Sequence, residues 1–487
     1  MTTRPKGRVT RALSIIGFCL GTARLAGADR PNFVFLYPDD QRWDALGVVQ
    51  REQGERARFP WLRTPNLDAL AAQSVRFREA FVVNSLCSPG RACVLTGRYS
   101  HLNGIINNRT PFPLDAWTFA RGLQQAGYTT AYFGKWHMGP QTERPGFDEF
   151  ASFIGQGKYI DCPLLVNGQR TPTSGWVDDV TTGYAVDFLR RQTADRPFFL
   201  WLGFKSPHGP RGGANLPERL RSLYAAAASR PVPNLGVPAI YNADREPSGP
   251  GRNQRAPVDA PAVLTAHLDY MRHIAGVDEN VGRVLEALEA GGLAGRTVVV
   301  FTSDNGYYLG EHQLGDKRSA YEESLRVPLL IRWPGGAAPS VQDAIALNID
   351  LAPTFLDVAG ISAPASVQGR SLRPLLAGRP PAGWRRSFFY EYFKEANFAA
   401  PTVLATRTTT AKLITYPGHE EWTEVFELES DPYETRNLIG AGEVGGLQAE
   451  LAAEHARWQS RLEFRLPDGV DAGAGTNRNA PARARGR

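Results

Sequence analysis

Two pairs of oxygen-bearing side chains each follow a short apolar run and could share one metal ion. Asp39 and Asp40 end the first run, and Asp304 and Asn305 end another one much later in the chain. Three carboxylates and an amide offer only hard oxygen ligands, which suit Ca²⁺ or Mg²⁺ rather than zinc. Without a cation these carboxylates would repel one another and any anionic substrate. The sequence therefore predicts a divalent metal site.

A twelve-residue stretch that begins at Cys87 supplies a second kind of chemistry. It reads Cys-Ser-Pro-Gly-Arg-Ala-Cys-Val-Leu-Thr-Gly-Arg, and Pro89 favours the first turn of a helix. Cys87 would then lie at a helix N-terminus, where free N–H groups and the helix dipole favour an anion. The stretch resembles the Cys-x-Pro-x-Arg signature of the type I sulfatases. The resemblance implies that a formylglycine-generating enzyme oxidises Cys87 to formylglycine.

The resemblance covers the chain from Pro31 to about Leu438 and implies a composition for the metal site. Formylglycine at position 87 and an oxygen of the substrate sulfate would complete the shell of ligands. Calcium is favoured over magnesium because calcium tolerates crowded, irregular coordination. The protein ligands implied are Asp39, Asp40, Cys87, Asp304 and Asn305.

The remaining catalytic positions of the family are basic residues, and this chain has them in the family's order. They are Arg91, Lys135, His137, His208 and Lys317. The resemblance implies that Arg91 holds the hydrated formylglycine and that the two lysines bind sulfate. It gives the two histidines the catalytic proton transfers.

The resemblance also implies a two-step covalent route. One hydroxyl of the formylglycine hydrate, activated by Asp304 and the metal, attacks sulfur. His208, aided by Lys317, donates a proton to the departing alcohol. His137 then takes a proton from the second hydroxyl, which expels sulfate and restores the aldehyde.

Two positions depart from the family's pattern. Gly90 replaces the usual Ser or Ala, which could slow maturation of the cysteine but removes no catalytic group. Pro38 precedes the acidic pair where a small residue is commoner, and its effect is not evident from the sequence.

Finer features are similar to glycosaminoglycan-type exosulfatases, especially N-acetylglucosamine-6-sulfatases. They are the Gly-Asp-Lys-Arg segment at 315–318, the segment His101–Pro111, and the segment Gly155–Gly168. This likeness predicts a sulfated saccharide, or a small sulfate ester, as substrate. Four side chains could bind such a sugar or could equally be packing residues: Tyr159, Trp176, Arg211 and Tyr307.

Two other functions stay open. A phosphonate monoester or phosphodiester hydrolase could use the same scaffold, because phosphoryl and sulfuryl groups are both tetrahedral oxyanions. A secreted glycan-binding protein with an unmodified Cys87 and no catalytic activity is the second alternative.

The catalytic candidates follow four apolar runs that have the character of buried strands. The runs are Asn32–Tyr37, Thr129–Phe133, Phe198–Phe204 and Thr297–Phe301. Helices are predicted from a Thr64 N-cap to about Gln73, over Val180–Arg191 and over His267–Ala290. The alternation predicts an α/β fold with a mainly parallel sheet sandwiched by helices, which the resemblance makes alkaline-phosphatase-like. The candidates should meet beyond the carboxyl ends of the strands.

The rest of the chain predicts smaller units. Gly209–Pro261 reads as a long irregular loop with a short Ala-rich helix near Leu223–Ala228. From about Ser387 four short β-like runs and the helix Gly446–Glu463 predict a small antiparallel sheet plus helix. The predicted division is a signal peptide at 1–28, a catalytic domain at 29–385, a small α+β domain at 386–466 and a disordered tail at 467–487.

Charge and cysteine content limit the possible partners. Five of the six excess positive charges lie in residues 1–28, so the body is nearly neutral and nucleic acid is not expected as a partner. No apolar run reaches the roughly 18–20 residues that span a bilayer, so stable membrane insertion is not expected.

The N-terminal residues predict export to the periplasm or the medium. The pattern consists of a basic segment, the apolar run Ala12–Leu20 and the sequence Ala26-Gly27-Ala28. Cys93 and Cys162 could form a disulfide, but nothing requires it.

Overall fold

The structure is a computed structural model in which residues 1–2, 30–243, 261–440 and 445–470 are described. The predicted signal peptide, beyond its first two residues, and the tail from residue 471 lie outside these ranges. The strands are β1 (Asn32–Tyr37), β2 (Val75–Phe77), β3 (Ala80–Phe81), β4 (Thr129–Lys135), β5 (Glu149–Phe153), β6 (Leu164–Val166), β7 (Gln169–Thr171), β8 (Phe198–Gly203), β9 (Thr297–Thr302), β10 (Leu329–Arg332), β11 (Ser340–Gln342), β12 (Ala346–Leu347), β13 (Ser387–Tyr392), β14 (Val403–Thr408), β15 (Ala411–Thr415) and β16 (Glu424–Glu427).

The helices alternate with the strands through most of the chain. They are α1 (Gly47–Gln53), α2 (Pro65–Ala71), α3 (Cys87–Thr96), α4 (Ser100–Asn103), α5 (Phe119–Gln125), α6 (Val177–Arg190), α7 (Glu218–Arg221), α8 (Pro261–Ala290), α9 (Glu322–Leu325), α10 (Leu351–Val358), α11 (Arg373–Leu376) and α12 (Gly445–Arg461). Within the described ranges no helix combines the length and the apolar character needed to cross a membrane.

One large sheet organises the catalytic part of the protein. Its strand order is β11-β2-β10-β9-β1-β8-β4-β5-β6-β7. The five central strands, β9-β1-β8-β4-β5, run parallel to their neighbours, and β10 joins β9 in the antiparallel sense. The predicted mainly parallel α/β sheet is confirmed, and all four predicted strands belong to its centre.

Both faces of the large sheet are buried, which explains why its strands are apolar without alternation. On β1, Phe33, Phe35 and Tyr37 face one hydrophobic core, and Val34 and Leu36 face the other. The first core contains side chains of α3, α5 and α10, and the second contains those of α2, α6 and α8. The sheet is therefore sandwiched by helices, as the sequence predicts.

A second, antiparallel sheet has the order β13-β14-β15-β16 and packs with α12. The charged groups at its contact with the rest of the protein are buried and paired. Lys412 on β15 has no exposed surface, and its Nζ lies 2.9 Å from Glu322 and 2.7 Å from Glu434. The predicted small antiparallel sheet plus helix is present.

One local prediction is wrong and a second is confirmed only in part. Leu223–Ala228 forms turns, and the short helix of this loop is α7, Glu218–Arg221. Tyr224 adopts a left-handed φ of 60° and its ring packs 4.8 Å from that of Trp61, so a tertiary contact overrides the helix propensity of the alanines. Thr64 is the N-cap residue of α2 and Pro65 lies in the first turn, as predicted. The Thr64 side chain makes no capping hydrogen bond, because its Oγ1 accepts from Gly47 N–H at 2.7 Å instead.

The three cysteines of the described ranges are free thiols. Cys93 lies in the core on one face of the large sheet and Cys162 in the core on the other. The sheet separates them, so the disulfide that the sequence left open is not formed.

Candidate active site

The candidate site residues meet at one edge of the large sheet, where four neighbouring parallel strands end. In the order β9-β1-β8-β4, these strands lead into Asp304 and Asn305, Asp39 and Asp40, His208, and Lys135 and His137. Cys87 and Lys317 reach the same place from the start of α3 and from the loop before α9. The structure thus brings together residues that are up to 278 positions apart.

Three buried carboxylates and one amide form the acidic part of the site. Asp39, Asp40 and Asp304 each offer an oxygen within 4.8 Å of the others. Asn305 donates its Nδ2 to Asp40 Oδ1 at 2.7 Å, while its buried Oδ1 has no hydrogen-bond partner among the described residues. Four oxygen ligands, one of them an unused acceptor, fit a hard divalent cation. These residues therefore fit the divalent metal that the resemblance implies.

Burial and mutual repulsion shift the pKa values of the carboxylates in this cluster. Burial and the charge of Asp39 raise the pKa of Asp304 to about 7. Burial also acts to raise the pKa of Asp39, but Lys135, His208 and Arg91 hold it well below its usual range. A divalent cation bound between the carboxylates would compensate their repulsion and keep all three ionised.

Cys87 begins α3 and has no exposed surface. Its Sγ lies 3.0 Å from Lys317 Nζ, 4.0 Å from Lys135 Nζ and 3.6 Å from Asp39 Oδ1. Burial and the charge of Asp39 raise the pKa of the thiol to about 12. The unmodified cysteine would therefore stay protonated and be a poor nucleophile.

Arg91 contacts two of the acidic residues of the site. Its Nη2 donates to Asp39 Oδ2 and to Asp304 Oδ2, each at 2.9 Å, and its Nη1 donates to the carbonyl oxygen of Lys135 at 2.9 Å. The guanidinium also lies over the ring of Tyr37. Arg91 thus ties β1, β4 and β9 together through two candidate metal ligands. It lies one helical turn after Cys87 in α3, and no hydrogen bond from its guanidinium to Cys87 Sγ is present among the described residues.

Both lysines pair with the acidic cluster beside Cys87. Lys135 forms an ion pair with Asp39, and Lys317 forms one with Asp40. Lys135 Nζ also donates to Gln156 Oε1 at 2.6 Å. Sequence reasoning missed Gln156. The flanking Gly155 and Gly157, which adopt positive φ in the structure, indicate a tight turn but not the contact with Lys135.

The second sheet supports the loop that carries Lys317. Tyr390 on β13 donates its hydroxyl to Ser319 O at 3.0 Å and lies 2.5 Å from Ser85 Oγ. Ser85 Oγ in turn donates to Lys317 O at 2.7 Å. The position of the lysine therefore depends on residues far from it in the sequence.

The two histidines have different surroundings. His208 Nδ1 lies 2.6 Å from Gly209 O, and its Nε2 lies 4.0 Å from Asp40 Oδ2. His137 adopts a left-handed φ of 58°, and its buried Nδ1 has no partner among the described residues. Burial and the nearby Lys135 lower the pKa of both imidazoles well below the ordinary value.

The four possible sugar-binding side chains divide into two groups. Trp176 and Tyr159 are buried and stack on each other with ring centroids 6.3 Å apart, so they are packing residues. Arg211 and Tyr307 are partly exposed, and the guanidinium lies 4.2 Å from the centre of the tyrosine ring. Of the four, only Arg211 and Tyr307 are accessible.

Comparison with known proteins identifies the chain's relatives. A family model described as sulfatase matches residues 31–361, and one described as the C-terminal part of N-sulphoglucosamine sulphohydrolase matches residues 310–461. N-acetylglucosamine-6-O-sulfatase of Bacteroides thetaiotaomicron is 32% identical over 90% of this chain and 88% of its own length.

Two solved structures illustrate how far the likeness extends. A protein in complex with its substrate, D-glucosamine-2-N,6-O-disulfate, has a TM-score of 0.80 and 30% identity, covering 91% of this chain and 100% of its own. The phosphonate monoester hydrolase of Agrobacterium radiobacter has a TM-score of 0.72 but 21% identity, over 89% of this chain and 96% of its own, so the likeness shows the fold alone. The predicted alkaline-phosphatase-like α/β fold is confirmed.

Gly90, the departure in the cysteine motif, has a packing role. A Cβ atom at this position would lie 2.8 Å from the carbonyl oxygen of Asp304 and 3.3 Å from that of Asn84. Both neighbours are main-chain atoms, which cannot rotate away as a side chain can. The glycine therefore lets α3 approach the loop that carries two candidate metal ligands.

Gly90→Ala is expected to lower the free energy of unfolding by about 1–3 kcal/mol, because the methyl group must push α3 away from the Asp304 loop. Gly183→Ala in α6 is the matched control, since nothing lies within 4 Å of its added Cβ. The control should raise the stability by about 0.5–1 kcal/mol. Urea unfolding followed by circular dichroism measures both, and a Gly90→Ala variant as stable as the parent would contradict the packing role.

Proposed function

This chain belongs to the sulfatase family of sulfuric ester hydrolases, and on that premise we propose its specific reaction. The reaction is hydrolysis of the 6-O-sulfate of a sulfated saccharide such as N-acetylglucosamine, with formylglycine formed from Cys87 and a bound calcium ion. The observation that carries the proposal is the pair of lysine Nζ atoms within 4.0 Å of Cys87 Sγ, beside the four oxygen ligands.

Residue 87 needs its modification to act. Burial and the charge of Asp39 raise the pKa of the thiol to about 12, so the unmodified residue would be a poor nucleophile. Once hydrated, formylglycine would supply one hydroxyl to attack sulfur and a second whose deprotonation releases sulfate. Lys135 and Lys317 lie where they would bind the sulfuryl oxygens and stabilise the negative charge that builds up on them.

His208 is suited to protonate the departing alcohol. Because a carbonyl oxygen can only accept, the short contact with Gly209 O fixes a proton on Nδ1. Nε2 is then the atom that gains a proton and donates it to the leaving oxygen. A sulfate bound between the lysines would offset their charge and favour the protonated imidazole. His137, with its unpartnered Nδ1, is suited to accept a proton in the second step.

Calcium is the proposed metal, held by Asp39, Asp40, Asp304, Asn305 and the modified residue 87. When bound, the ion would act as a Lewis acid that polarises a sulfate oxygen. One argument supports calcium over magnesium. All-oxygen ligands suit either ion, but these ligands come from three separate segments, an irregular arrangement that calcium tolerates better than magnesium.

The substrate class is supported by the relatives. One is named as an N-acetylglucosamine-6-O-sulfatase, and the substrate-bound relative was solved with a 6-O-sulfated glucosamine. A polar cluster beside Lys317 offers donors and acceptors that could recognise sugar hydroxyls. In it Arg318 pairs with Asp316 at 2.7 Å and with Glu395 at 2.7 Å.

Export to the periplasm or the medium completes the proposal. Its support is the basic and apolar pattern of residues 1–28. Extracellular saccharides would then be accessible to the enzyme.

The recombinant protein, coexpressed with a formylglycine-generating enzyme, is expected to release sulfate from N-acetylglucosamine 6-sulfate over many turnovers. The 4-sulfate isomer and a phenylphosphonate monoester should react at least about 100-fold more slowly in kcat/KM. Cys87→Ser should release at most one desulfated sugar per chain and no sulfate, because a serine hydroxyl can accept the sulfuryl group but has no second hydroxyl to expel it. Ion chromatography of the sulfate and of the desulfated sugar released per chain gives both results.

Preference for the phosphonate ester would replace the proposal with the phosphonate hydrolase alternative. Binding of the sugar without release of sulfate by fully modified protein would favour the glycan-binding alternative. Multiple turnovers by Cys87→Ser would overturn the role of residue 87, whichever ester is preferred.

Removal of divalent ions with a chelator should abolish activity, and calcium should restore it at lower concentration than magnesium. Because the ion binds only the folded chain, calcium at about 100 times its Kd should stabilise the protein by about 2.7 kcal/mol. Asp304→Asn should lose most of this stabilisation. Calorimetry of the chelated protein with each ion tests this, and a larger effect of magnesium would assign the site to that ion.

A further inference from the structure

The turn that carries His208 is held at both ends by a second histidine. His273 lies on α8 and has no exposed surface. Its Nδ1 lies 3.0 Å from Ser206 Oγ and its Nε2 lies 3.2 Å from Arg211 O. Ser206 and Arg211 flank His208 in the sequence, so one imidazole ring bridges the base of the turn.

The partners determine which nitrogen of His273 carries the proton. The carbonyl oxygen of Arg211 can only accept, so Nε2 donates to it and Nδ1 accepts from the hydroxyl of Ser206. Burial lowers the pKa of His273 to about 3, and the ring is therefore neutral at ordinary pH. The neutral imidazole of His273 thus has the donor that Arg211 O needs and the acceptor that the Ser206 hydroxyl needs.

A third contact links the ring of His273 to the main chain of His208. Tyr159 packs against it with ring centroids 4.5 Å apart. The hydroxyl of Tyr159 donates to His208 O at 2.5 Å. Ser206 is itself anchored, because its N–H donates to Asp178 Oδ2 at 3.1 Å. The turn is thus held before His208 at Ser206, at His208 by Tyr159, and after His208 at Arg211 O. His273 contacts Ser206, Tyr159 and Arg211, whereas Asp178 holds Ser206 independently.

We propose that His273 is a positioning residue that holds the His208 turn so that His208 Nε2 faces the leaving oxygen of the substrate. The inference rests on the proposed role of His208 as proton donor. His273 lies behind the turn and acts only through it. Its loss should therefore impair proton donation more than sulfate binding.

The basicity of the leaving group separates this role from a merely structural one. The alkoxide of a sugar is strongly basic and must be protonated as it departs, whereas 4-nitrophenolate is a good leaving group without a proton. A misplaced His208 should therefore slow the sugar sulfate and spare 4-nitrophenyl sulfate. A general loss of folded protein would lower both rates equally.

The experiment compares kcat on the two esters for His273→Leu and for a matched control, His267→Leu. His267 is also buried on α8, with Nε2 2.7 Å from Leu309 O and Nδ1 3.3 Å from Ser229 Oγ. Among the described residues no hydrogen bond joins it to the 206–211 turn. His273→Leu should lower kcat on the sugar sulfate about 10–100-fold, with less than about 3-fold loss on 4-nitrophenyl sulfate and little change in KM.

His208→Ala is the reference, and it should show the same asymmetry at about 10²–10⁴-fold. If it does and His273→Leu behaves like His267→Leu, the positioning role is wrong while the proposed function stands. If His208→Ala slows both esters equally, the proton-donor role fails and the positioning role with it.

His273→Gln covers the case in which His273→Leu does not fold. Its amide can still donate to Arg211 O. The loss of kcat on the sugar sulfate should therefore exceed the loss on 4-nitrophenyl sulfate by a smaller factor than in His208→Ala but by a larger factor than in His267→Gln. Equal loss on both esters in His273→Gln would overturn the proposal.

Discussion

Mutual repulsion among three buried carboxylates is the constraint on which the rest of this site depends. Asp39, Asp40 and Asp304 each place a carboxylate oxygen within 4.8 Å of the others, because β1 and β9 are neighbouring parallel strands that end at the same edge of the sheet. Arg91 bridges two of these carboxylates, and a lysine pairs with Asp39 and with Asp40. The two lysines also lie within 4.0 Å of Cys87 Sγ, so two of the cations that stabilise the cluster are the groups that would bind sulfate.

Elements on different sides of the site hold its charged side chains in place. Helix α3 presents Cys87 and Arg91 on one side, and Gly90 lets it approach the Asp304 loop. The second sheet supports the Lys317 loop through Tyr390. On the opposite side α8 supports the His208 turn through His273. These supporting residues are far apart in the sequence because helices on both faces of the large sheet, and the second sheet, all contact the site.

The meeting of several site residues at one sheet edge could be predicted because they follow apolar runs typical of strands buried on both faces. The acidic pair after β1 is an example, since a short run of apolar residues such as Asn32–Tyr37 favours a strand buried on both faces of a sheet. The roles of the site residues, and the inclusion of Cys87, Arg91 and Lys317, came from the family resemblance. Residues whose position depends on tertiary contacts could not be predicted. Trp176 is buried rather than exposed to a sugar, and the alanines at 223–228 do not form a helix because Tyr224 turns to pack on Trp61. His273 lies in an ordinary helical pattern, and only the packing of α8 against the sheet shows what it contacts.

The oxidation state of residue 87 decides whether this charged site can perform the proposed chemistry. Trypsin releases the peptide Glu79–Arg91, which contains Cys87 and none of the other cysteines. Mass spectrometry of this peptide from protein produced in its native host is the most direct measurement. The account predicts a mass about 18 Da below that of the cysteine form, the difference between a thiol and an aldehyde at this carbon. An unmodified thiol in protein that hydrolyses sulfate esters over many turnovers would contradict it.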